Sequence, residues 1–272
     1  PFEKQLGAID PAAFSTSFLI QPLLFIRTRP GKKDKVAARL EEQGVAHQII
    51  GEDCIALPNT TNLEDVLVLN RDAVIQDKNS QRVFDELNPE WLPAGKVAVW
   101  DCCAASGGKS ILLNDKLAGK MNLTVSDIRP NILYNCKKRL AEAGININNA
   151  FIADVAAPLS PDEVQEYDII ICDAPCSGSG TWSRTPEQLA GFSKDRIAAF
   201  SALQKSIAKN TSTQLKSGGL FIYITCSVFK EENESVVAAI DEQTELAVLQ
   251  QEYLSGYEQQ ADTMFVAIFK KL

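Results

Sequence analysis

Short apolar runs alternate with longer amphipathic stretches from residue 96 to the C-terminus. Runs of about four to eight β-branched and aromatic residues are typical of strands, whereas apolar residues repeating about every three or four positions indicate helices. The pattern predicts strands at residues 96–104, 122–128, 149–154, 167–175 and 219–227. It predicts helices at residues 108–119, 130–143, 194–216 and 233–243. Strands that alternate with helices indicate an α/β fold with a doubly wound parallel sheet.

The two ends of the chain depart from this alternation. Residues 262–271 alternate as a final strand does, and an antiparallel direction is left open. Residues 23–50 indicate a strand, a basic turn, a helix and a strand, which together predict a small α+β unit. The segment 88–96, NPEWLPAGK, contains two prolines and a glycine and is the predicted junction. We therefore divide the chain into a small α+β domain at residues 1–92 and a larger α/β domain at residues 93–272.

Composition limits the classes of protein that fit this pattern. Hydrophobic residues make up 45% of the 272 residues and charged residues 23%, which indicates a folded domain rather than a disordered chain. No run of about 18 apolar residues predicts a membrane span, and the first ten residues lack a signal-peptide pattern. Seven cysteines without zinc-ligand spacing indicate free thiols in a reducing compartment. We therefore expect a cytoplasmic protein without a metal ion, and a monomer, although the oligomeric state is left open.

The net charge and the local charge distribution point to opposite conclusions about a nucleic-acid partner. The net charge of −8 argues against one, because nucleic acids are polyanions. Residues 24–39, however, contain six lysines and arginines against one aspartate. On charge alone, a solvated turn and helix face is the favoured interpretation of this segment, and a binding patch is the alternative.

The first predicted strand leads into a glycine loop, DCCAASGGKS at residues 101–110, and then into a helix. Adjacent glycines let the backbone approach a ligand closely, and the N–H groups at the start of a helix bind polar or anionic groups. The loop matches neither the dinucleotide fingerprint nor the P-loop, so it implies no pyrophosphate or triphosphate. Asp127 ends the second strand, where an acid of this topology binds two ribose hydroxyls. Asp154 and Asp173 end the next two strands, and the whole set favours an adenosine-type ligand over helix capping alone.

Cys176 and Cys226 stand where predicted strands give way to loops, in DAPCSGSG and YITCSVF. Residues at such exits are exposed to a ligand, and neighbouring parallel strands would bring both thiols and Asp173 to one pocket. A thiolate can add to an electron-poor ring carbon and make the neighbouring carbon nucleophilic enough to accept a methyl group. The structural interpretation, a small buried hydrophobic residue, is kept for Cys102, Cys136 and Cys172.

Four motifs resemble those of a known family. They are DCCAASGGK, SDIRP, DAPCSGSGTW and ITCSVFKEENESVV, and they resemble successive motifs of the NOL1/NOP2/Sun family of RNA cytosine-5 methyltransferases. The resemblance covers residues 96–272, and the paired D-A-P-C-S-G and T-C-S motifs are its most specific part. It implies a class I S-adenosylmethionine-dependent fold, Rossmann-like, with a mostly parallel seven-stranded sheet.

The resemblance also implies an activity, which is methyl transfer from S-adenosylmethionine to C5 of a cytosine in ribosomal or transfer RNA. By position, Cys226 would attack C6 of the cytosine, Cys176 would assist resolution of the covalent adduct, and Asp173 would contact the target base. The implied cofactor-binding residues are Cys103, Ala104, Ala105, Ser106, Gly107, Gly108, Lys109, Asp127, Asp154 and Asp173. With RNA as the implied partner, the basic segment 24–39 becomes an expected RNA-positioning patch.

The sequence departs from the family pattern at two positions. Ser106 stands where the family usually has proline, and Ser183 stands where it often has a basic residue. Arg184 is a candidate phosphate contact, with an ordinary surface arginine as the equal alternative. Two rival functions are weighed against the methyltransferase. A nicotinamide-dependent oxidoreductase lacks support because the phosphate fingerprint is absent, and a non-catalytic RNA-binding or assembly protein is disfavoured by the intact cysteine pair and Asp173.

Overall fold

A computed structural model describes residues 2–160 and 165–272 of the chain. The first part of the chain forms a four-stranded antiparallel sheet with the strand order β2–β3–β1–β4. Its elements are α1 (Pro11–Ser17), β1 (Leu24–Thr28), α2 (Lys33–Glu42), β2 (Gln48–Ile49), β3 (Cys54–Leu57) and β4 (Ala73–Ile75). The apolar face of α2, at Val36 and Leu40, packs on Ile26 and Ile55 of the sheet. The order strand, helix, strand is the one that the sequence pattern predicts.

The first helix packs elsewhere. Phe14 of α1 belongs to a cluster of aromatic side chains with Trp182 and Phe229, and Phe2 joins the same cluster. The first residues of the chain therefore lie against the larger part of the protein rather than on the small sheet.

The larger part is built on a seven-stranded sheet. Its strands are β5 (Val97–Asp101), β6 (Met121–Asp127), β7 (Ile147–Ile152), β8 (Tyr167–Asp173), β9 (Leu215–Thr225), β10 (Leu246–Leu254) and β11 (Met264–Lys271). The strand order is β10–β11–β9–β8–β5–β6–β7. Neighbours from β9 to β7 are parallel, and β11 is antiparallel to both β9 and β10. The predicted α/β fold with a mostly parallel seven-stranded sheet is confirmed.

Helices cover both faces of this sheet. They are α3 (Gly108–Lys116), α4 (Pro130–Glu142), α5 (Glu187–Ala190), α6 (Lys194–Ser212) and α7 (Glu234–Gln243). Successive residues of a strand point to opposite faces, so Ile169 and Ile171 pack with α3 and α4 while Ile170 and Cys172 pack with α6 and α7. Burial on both faces explains why β8 is an almost continuous apolar run. The expected burial of three cysteines is confirmed for Cys102, Cys136 and Cys172.

No helix within residues 2–160 and 165–272 is both long enough and apolar enough to cross a bilayer.

A buried ion pair joins the small sheet to α3. Arg27 of β1 is 4% exposed, and its Nη1 donates to Asp115 Oδ2 at 2.6 Å while its Nε donates to Gln76 Oε1 at 3.0 Å. Arg29 Nε lies 2.9 Å from the same Asp115 oxygen, and its Nη1 donates to the carbonyls of Asn70 and Ala143. The charges of Arg27 and Arg29 are therefore paired inside the protein, and the expectation that segment 24–39 positions RNA stays a prediction that rests on its other basic residues.

Asp115→Ala is expected to lower the free energy of unfolding by about 3–5 kcal/mol, because it leaves the Arg27 guanidinium buried without its carboxylate. Arg27 Nη2 already has no hydrogen-bond partner among the described residues, so the loss is not compensated locally. Urea denaturation at pH 7 measures the effect. The control is Asp85→Ala: this carboxylate pairs with Lys116 at 3.0 Å on the surface, so its removal should cost less than about 1 kcal/mol. Equal losses in the two variants would show that the buried pair has no special weight.

Candidate active site

The predicted site residues gather at the carboxyl ends of the parallel strands. β5 ends at Asp101, β6 at Asp127 and β8 at Asp173, and Cys226 directly follows the last residue of β9. β8 and β6 lie on either side of β5, so the chain leaves β5 at the point where the strand order reverses. Open α/β sheets bind their ligands in the crevice at this place.

The glycine loop makes a tight turn between β5 and α3. Gly107 has φ of 77°, a left-handed conformation in which a side chain is strained, and a Cβ there would lie 3.0 Å from Cys136 Sγ. Ala105 also has a positive φ, 46°. Ser106, at the position where proline is usual, accepts a hydrogen bond through Oγ from Arg139 Nη1 at 2.8 Å. That bond fixes the loop at a residue that lacks the stiffness of proline.

Asp127 holds the loop from the next strand. Its carboxylate accepts hydrogen bonds from Ala105 N at 3.1 Å, and from the backbone N, Nε and Nη2 of Arg129 at 2.9, 2.9 and 3.0 Å. Burial raises the pKa of Asp127, but the hydrogen bonds from Arg129 outweigh burial and hold the pKa below its usual value. Each oxygen accepts two bonds, so a ribose diol that binds this carboxylate must displace the Arg129 side chain, which is 60% exposed.

Asp154 stands apart from this group. It lies two residues beyond β7, is exposed, and accepts a hydrogen bond from Ala156 N at 3.1 Å, which closes its own turn. No hydrogen bond among the described residues joins it to the glycine loop or to the cysteines. This is the contact of a turn residue; no helix begins after Asp154 within the described residues up to 160, so it is not the helix cap that the sequence left open.

The two thiols meet at the opposite side of the cleft. Cys176 Sγ lies 3.4 Å from Cys226 Sγ, and both residues are partly exposed. Gly180 N donates to the carbonyl of Cys226 at 2.8 Å, which lays the loop after β8 alongside the end of β9. Only glycine fits at position 180, because a Cβ would lie 2.0 Å from the carbonyl oxygen of Thr263. The neighbouring strand ends bring the thiols together as their positions in the sequence predict.

Cys176 is held in its protonated form. Its hydrogen bond with Cys226, followed by burial and by the negative charges of Cys226 and Glu232, raises the pKa of Cys176 well above the usual value of a thiol. At neutral pH Cys176 therefore keeps its proton.

Lys109 places a cation beside both the carboxylate and the thiols. Its Nζ donates to Asp173 Oδ2 at 2.5 Å. Burial lowers the pKa of Lys109, but the charge and the hydrogen bond of Asp173, together with the charges of Cys226 and Asp101, raise it above its usual value. The lysine of the glycine loop is therefore a fixed positive charge that connects the cofactor side of the cleft with its cysteine side.

Asp101 is a site residue that the sequence reasoning missed. It is 1% exposed; Oδ2 accepts from Ser110 Oγ at 2.6 Å, and the buried Oδ1 has no partner among the described residues. Burial raises the pKa of Asp101 to about 7, against the effect of the Ser110 hydrogen bond and with that of the Asp173 charge. The signal was present in the sequence, since this acid ends the first strand directly before the glycine loop.

Arg184 does not offer a free guanidinium. Its Nε donates to Asp262 Oδ1 at 2.6 Å, its Nη2 to Asp77 Oδ2 at 2.8 Å, and its Nη1 to the carbonyl of Leu23 at 3.1 Å. Burial lowers the pKa of Arg184, but the two carboxylates raise it above its usual value. The residue connects three separate segments, so its contacts favour a structural role over the candidate phosphate contact.

The chain matches known proteins over most of its length. A family model described as 16S rRNA methyltransferase RsmB/F matches residues 91–269. A probable ribosomal RNA small subunit methyltransferase B of Bacillus subtilis is 30% identical over 227 residues, which cover 81% of this chain and 49% of that protein. Ribosomal RNA small subunit methyltransferase B of Xanthomonas campestris is 31% identical over 214 residues, which cover 76% and 47%. The chain thus spans about half the length of these curated relatives.

Solved structures show the same fold. A methyltransferase homolog protein from Pyrococcus horikoshii aligns with a TM-score of 0.77 at 21% identity, over 98% of this chain and 92% of that one. NSun6 from Pyrococcus horikoshii, solved with SFG, aligns with a TM-score of 0.81 at 14% identity, over 96% and 94%. SFG, which that structure contains, is an analogue of S-adenosylmethionine.

The residues at the strand ends fit S-adenosylmethionine. The Asp173 carboxylate is a negative group suited to the ammonium and sulfonium charges of the cofactor, the buried Asp101 Oδ1 is an acceptor without a partner among the described residues, and Asp127 is placed to accept from the ribose hydroxyls. The strained glycine loop leaves its backbone close to this edge.

Asp101→Asn is expected to stabilise the protein more at high pH than at low pH. Asp101 keeps its proton in the folded protein up to about pH 7, whereas an unfolded aspartate loses it near pH 4, so stability falls as the pH rises through this window. Asparagine removes the loss, and the gain in unfolding free energy should be roughly 2–3 kcal/mol larger at pH 8 than at pH 5. Urea denaturation at both pH values measures it, with the exposed Asp154→Asn as a control that should show no such difference. Equal effects at the two pH values would mean that Asp101 is ionised throughout.

Proposed function

Because the chain belongs to the 16S rRNA methyltransferase RsmB/F family, we propose that it transfers a methyl group from S-adenosylmethionine to C5 of a cytosine in ribosomal RNA through a covalent Cys–C6 adduct. The observation that carries the proposal is the 3.4 Å separation of the Cys176 and Cys226 sulfurs at the strand ends that also hold the glycine loop and Asp173. A pair of thiols beside a carboxylate and a lysine supplies a nucleophile for addition to a pyrimidine ring and a proton donor for the later elimination.

Cys226 is the nucleophile in this proposal. The pKa of Cys176 is raised, which makes that sulfur the poorer nucleophile, and the family resemblance assigns the attack on C6 to Cys226. The attack forms the C6–Sγ bond and moves electron density from the C5–C6 double bond onto the rest of the ring. Asp173, held in place by Lys109, contacts the edge of the base, and the positive charge of Lys109 beside it stabilises that density.

The bound cofactor supplies the methyl group that C5 then accepts. The C5 proton then passes to solvent, the electron pair of the C5–H bond restores the C5–C6 double bond, and the C6–Sγ bond breaks to release Cys226. The Cys176 thiol lies within hydrogen-bond distance of Cys226 Sγ, where it can stabilise the departing thiolate. When Cys226 leaves C6, a proton donor, the Cys176 thiol, is already beside it.

The target cytosine must be unstacked, since both faces of a stacked base are covered by its neighbours. The chain therefore needs a single-stranded or flipped-out nucleotide, and RNA is its proposed partner. Two of the arginines expected to guide that RNA are engaged in the buried junction, so the exposed basic residues of segment 24–39, Lys35 and Arg39, are the part left for such a contact.

Transfer of a labelled methyl group to ribosomal RNA tests the proposal. The protein is incubated with labelled S-adenosylmethionine and unmodified small-subunit RNA, and nucleosides from the digested RNA are separated and identified. We expect label in 5-methylcytidine. Label in another nucleoside would overturn the cytosine-C5 assignment. Cofactor binding by calorimetry without transfer to any RNA would support the non-catalytic alternative.

A further inference from the structure

Glu232 is a fully buried carboxylate behind the two cysteine-bearing loops. Its Oε2 accepts from Ser177 N at 2.8 Å, and its Oε1 accepts from Ser227 Oγ at 2.9 Å. Ser177 directly follows Cys176, and Ser227 directly follows Cys226. One carboxylate therefore binds the residue next to each thiol.

Gln204 completes the support of the Cys176 side. This buried side chain of α6 donates from Nε2 to Glu232 Oε2 at 3.1 Å and to the carbonyl of Pro175 at 2.9 Å. Pro175 precedes Cys176 and Ser177 follows it, so the backbone is held on both sides of the thiol.

Asn233 supports the Cys226 side in the same way. Its Oδ1 accepts from Thr225 Oγ1 at 2.6 Å, and its Nδ2 donates to the carbonyl of Ser227 at 2.8 Å. These two partners flank Cys226. Glu232 and Asn233 are adjacent in the chain, so one short segment, fixed at the start of α7, holds both cysteines.

Hydroxyl groups join the two supports. The Oγ atoms of Ser177, Ser179 and Ser227 lie 3.0, 3.2 and 3.3 Å from one another, and Ser227 Oγ passes the network on to Glu232. The cysteine loops are thus connected to each other through side chains as well as through the sheet.

Burial of the Glu232 carboxylate lowers the free energy of unfolding, so a contribution to stability does not explain why a carboxylate stands here. No cation pairs with it among the described residues, and a buried carboxylate without a cation is expensive compared with an apolar side chain of the same size. A residue that served only to fill the core would be apolar at this position. The carboxylate is needed where two donors from separate loops must be brought to one point.

We infer that Glu232 and Asn233 are positioning residues that fix the two thiols of the site relative to each other. The inference rests on the proposed function for its catalytic consequence, but not for its geometric content. The negative charge of Glu232 also contributes to the raised pKa of Cys176. Both residues are fully buried, and both act through the residues on either side of the sulfurs.

Diamide oxidises the two thiols to a Cys176–Cys226 disulfide, and the rate of this reaction depends on how close the two sulfurs lie in the native protein. Each disulfide removes two hydrogen atoms from Cys176 and Cys226, and diamide is reduced to its hydrazine. Glu232→Met removes all three hydrogen bonds and keeps the buried volume, so the rate of Cys176–Cys226 disulfide formation, followed by peptide mass spectrometry, should fall at least about tenfold. Glu232→Gln can keep the hydrogen bonds, because Ser227 Oγ can accept from the amide, and should stay within about threefold of the wild type. Asn233→Leu is the independent second variant and should resemble Glu232→Met.

Glu231→Met is the matched control, because the change is the same and the side chain lies one position away without a hydrogen bond to either cysteine loop among the described residues. It should leave the disulfide rate within about twofold, while thermal denaturation shows which variants are folded. Methyl transfer should fall in Glu232→Met at least about tenfold in kcat with the Kd for S-adenosylmethionine nearly unchanged. Unchanged disulfide rates in both folded Glu232→Met and Asn233→Leu would overturn the inference. A wild-type protein that forms the disulfide quickly but transfers no methyl group would overturn the proposed function and leave the positioning role standing.

Discussion

Cys226→Ala is expected to lower kcat/KM for methyl transfer by at least about 10⁴-fold, because no other group in the site can form the bond to C6. The Kd for S-adenosylmethionine should stay within about twofold, since the glycine loop, Asp101 and Asp127 lie on other strands and are untouched by the substitution. Transfer of labelled methyl groups and calorimetry on the same preparation measure the two quantities.

Cys102→Ala provides the matched control for this loss. Cys102 is also a thiol at a strand end, but it is buried in the hydrophobic core. Its replacement should lower stability and leave methyl transfer per folded molecule within about threefold. If Cys226→Ala kept a substantial part of the transfer activity, the nucleophile would have to be a different group.

Cys176→Ala is expected to accumulate protein covalently linked to RNA. The variant keeps the nucleophile and the methyl donor site, so the adduct forms, but it removes the thiol that lies 3.4 Å from Cys226 Sγ and supports its departure. A denaturing gel with labelled RNA should show a slowly migrating band that the wild type lacks, and digestion of the band should yield a peptide containing Cys226.

The double variant Cys176→Ala/Cys226→Ala should show no such band. A band in Cys226→Ala instead of Cys176→Ala would exchange the roles of the two sulfurs. Because the same loops hold both residues, this exchange would leave the fold and the positioning role of Glu232 as described.

The parallel strands were predictable because a strand that is buried on both faces is an almost continuous apolar run in the sequence. β8, from Tyr167 to Asp173, is apolar almost throughout, and the acid at its end marks the turn to the ligand side. β10 was missed because it is an edge strand: its residues are mostly half-buried or exposed, and LAVLQQEYL has no regular alternation. Its pairing with β11 comes from tertiary context rather than from its own pattern.

The candidate site was predictable to the extent that it is built from strand ends. Cys176, Cys226 and Asp173 follow neighbouring strands, and strand ends meet whatever the loops between them do. The partners of charged side chains were not predictable in this way. Arg27 finds Asp115 across 88 residues, and Glu232 finds Ser177 across 55, so neither contact leaves a local signal in the sequence.

The position of Asp115 on α3 has a mechanical consequence. The same helix begins directly after the glycine loop, carries Lys109 in its first turn, and ends beside the carboxylate that holds Arg27 and Arg29. The nine residues of α3 therefore connect the glycine loop and Lys109 at one end with the small sheet at the other. A shift of the small sheet relative to the large one would therefore displace the helix that carries the lysine paired with Asp173.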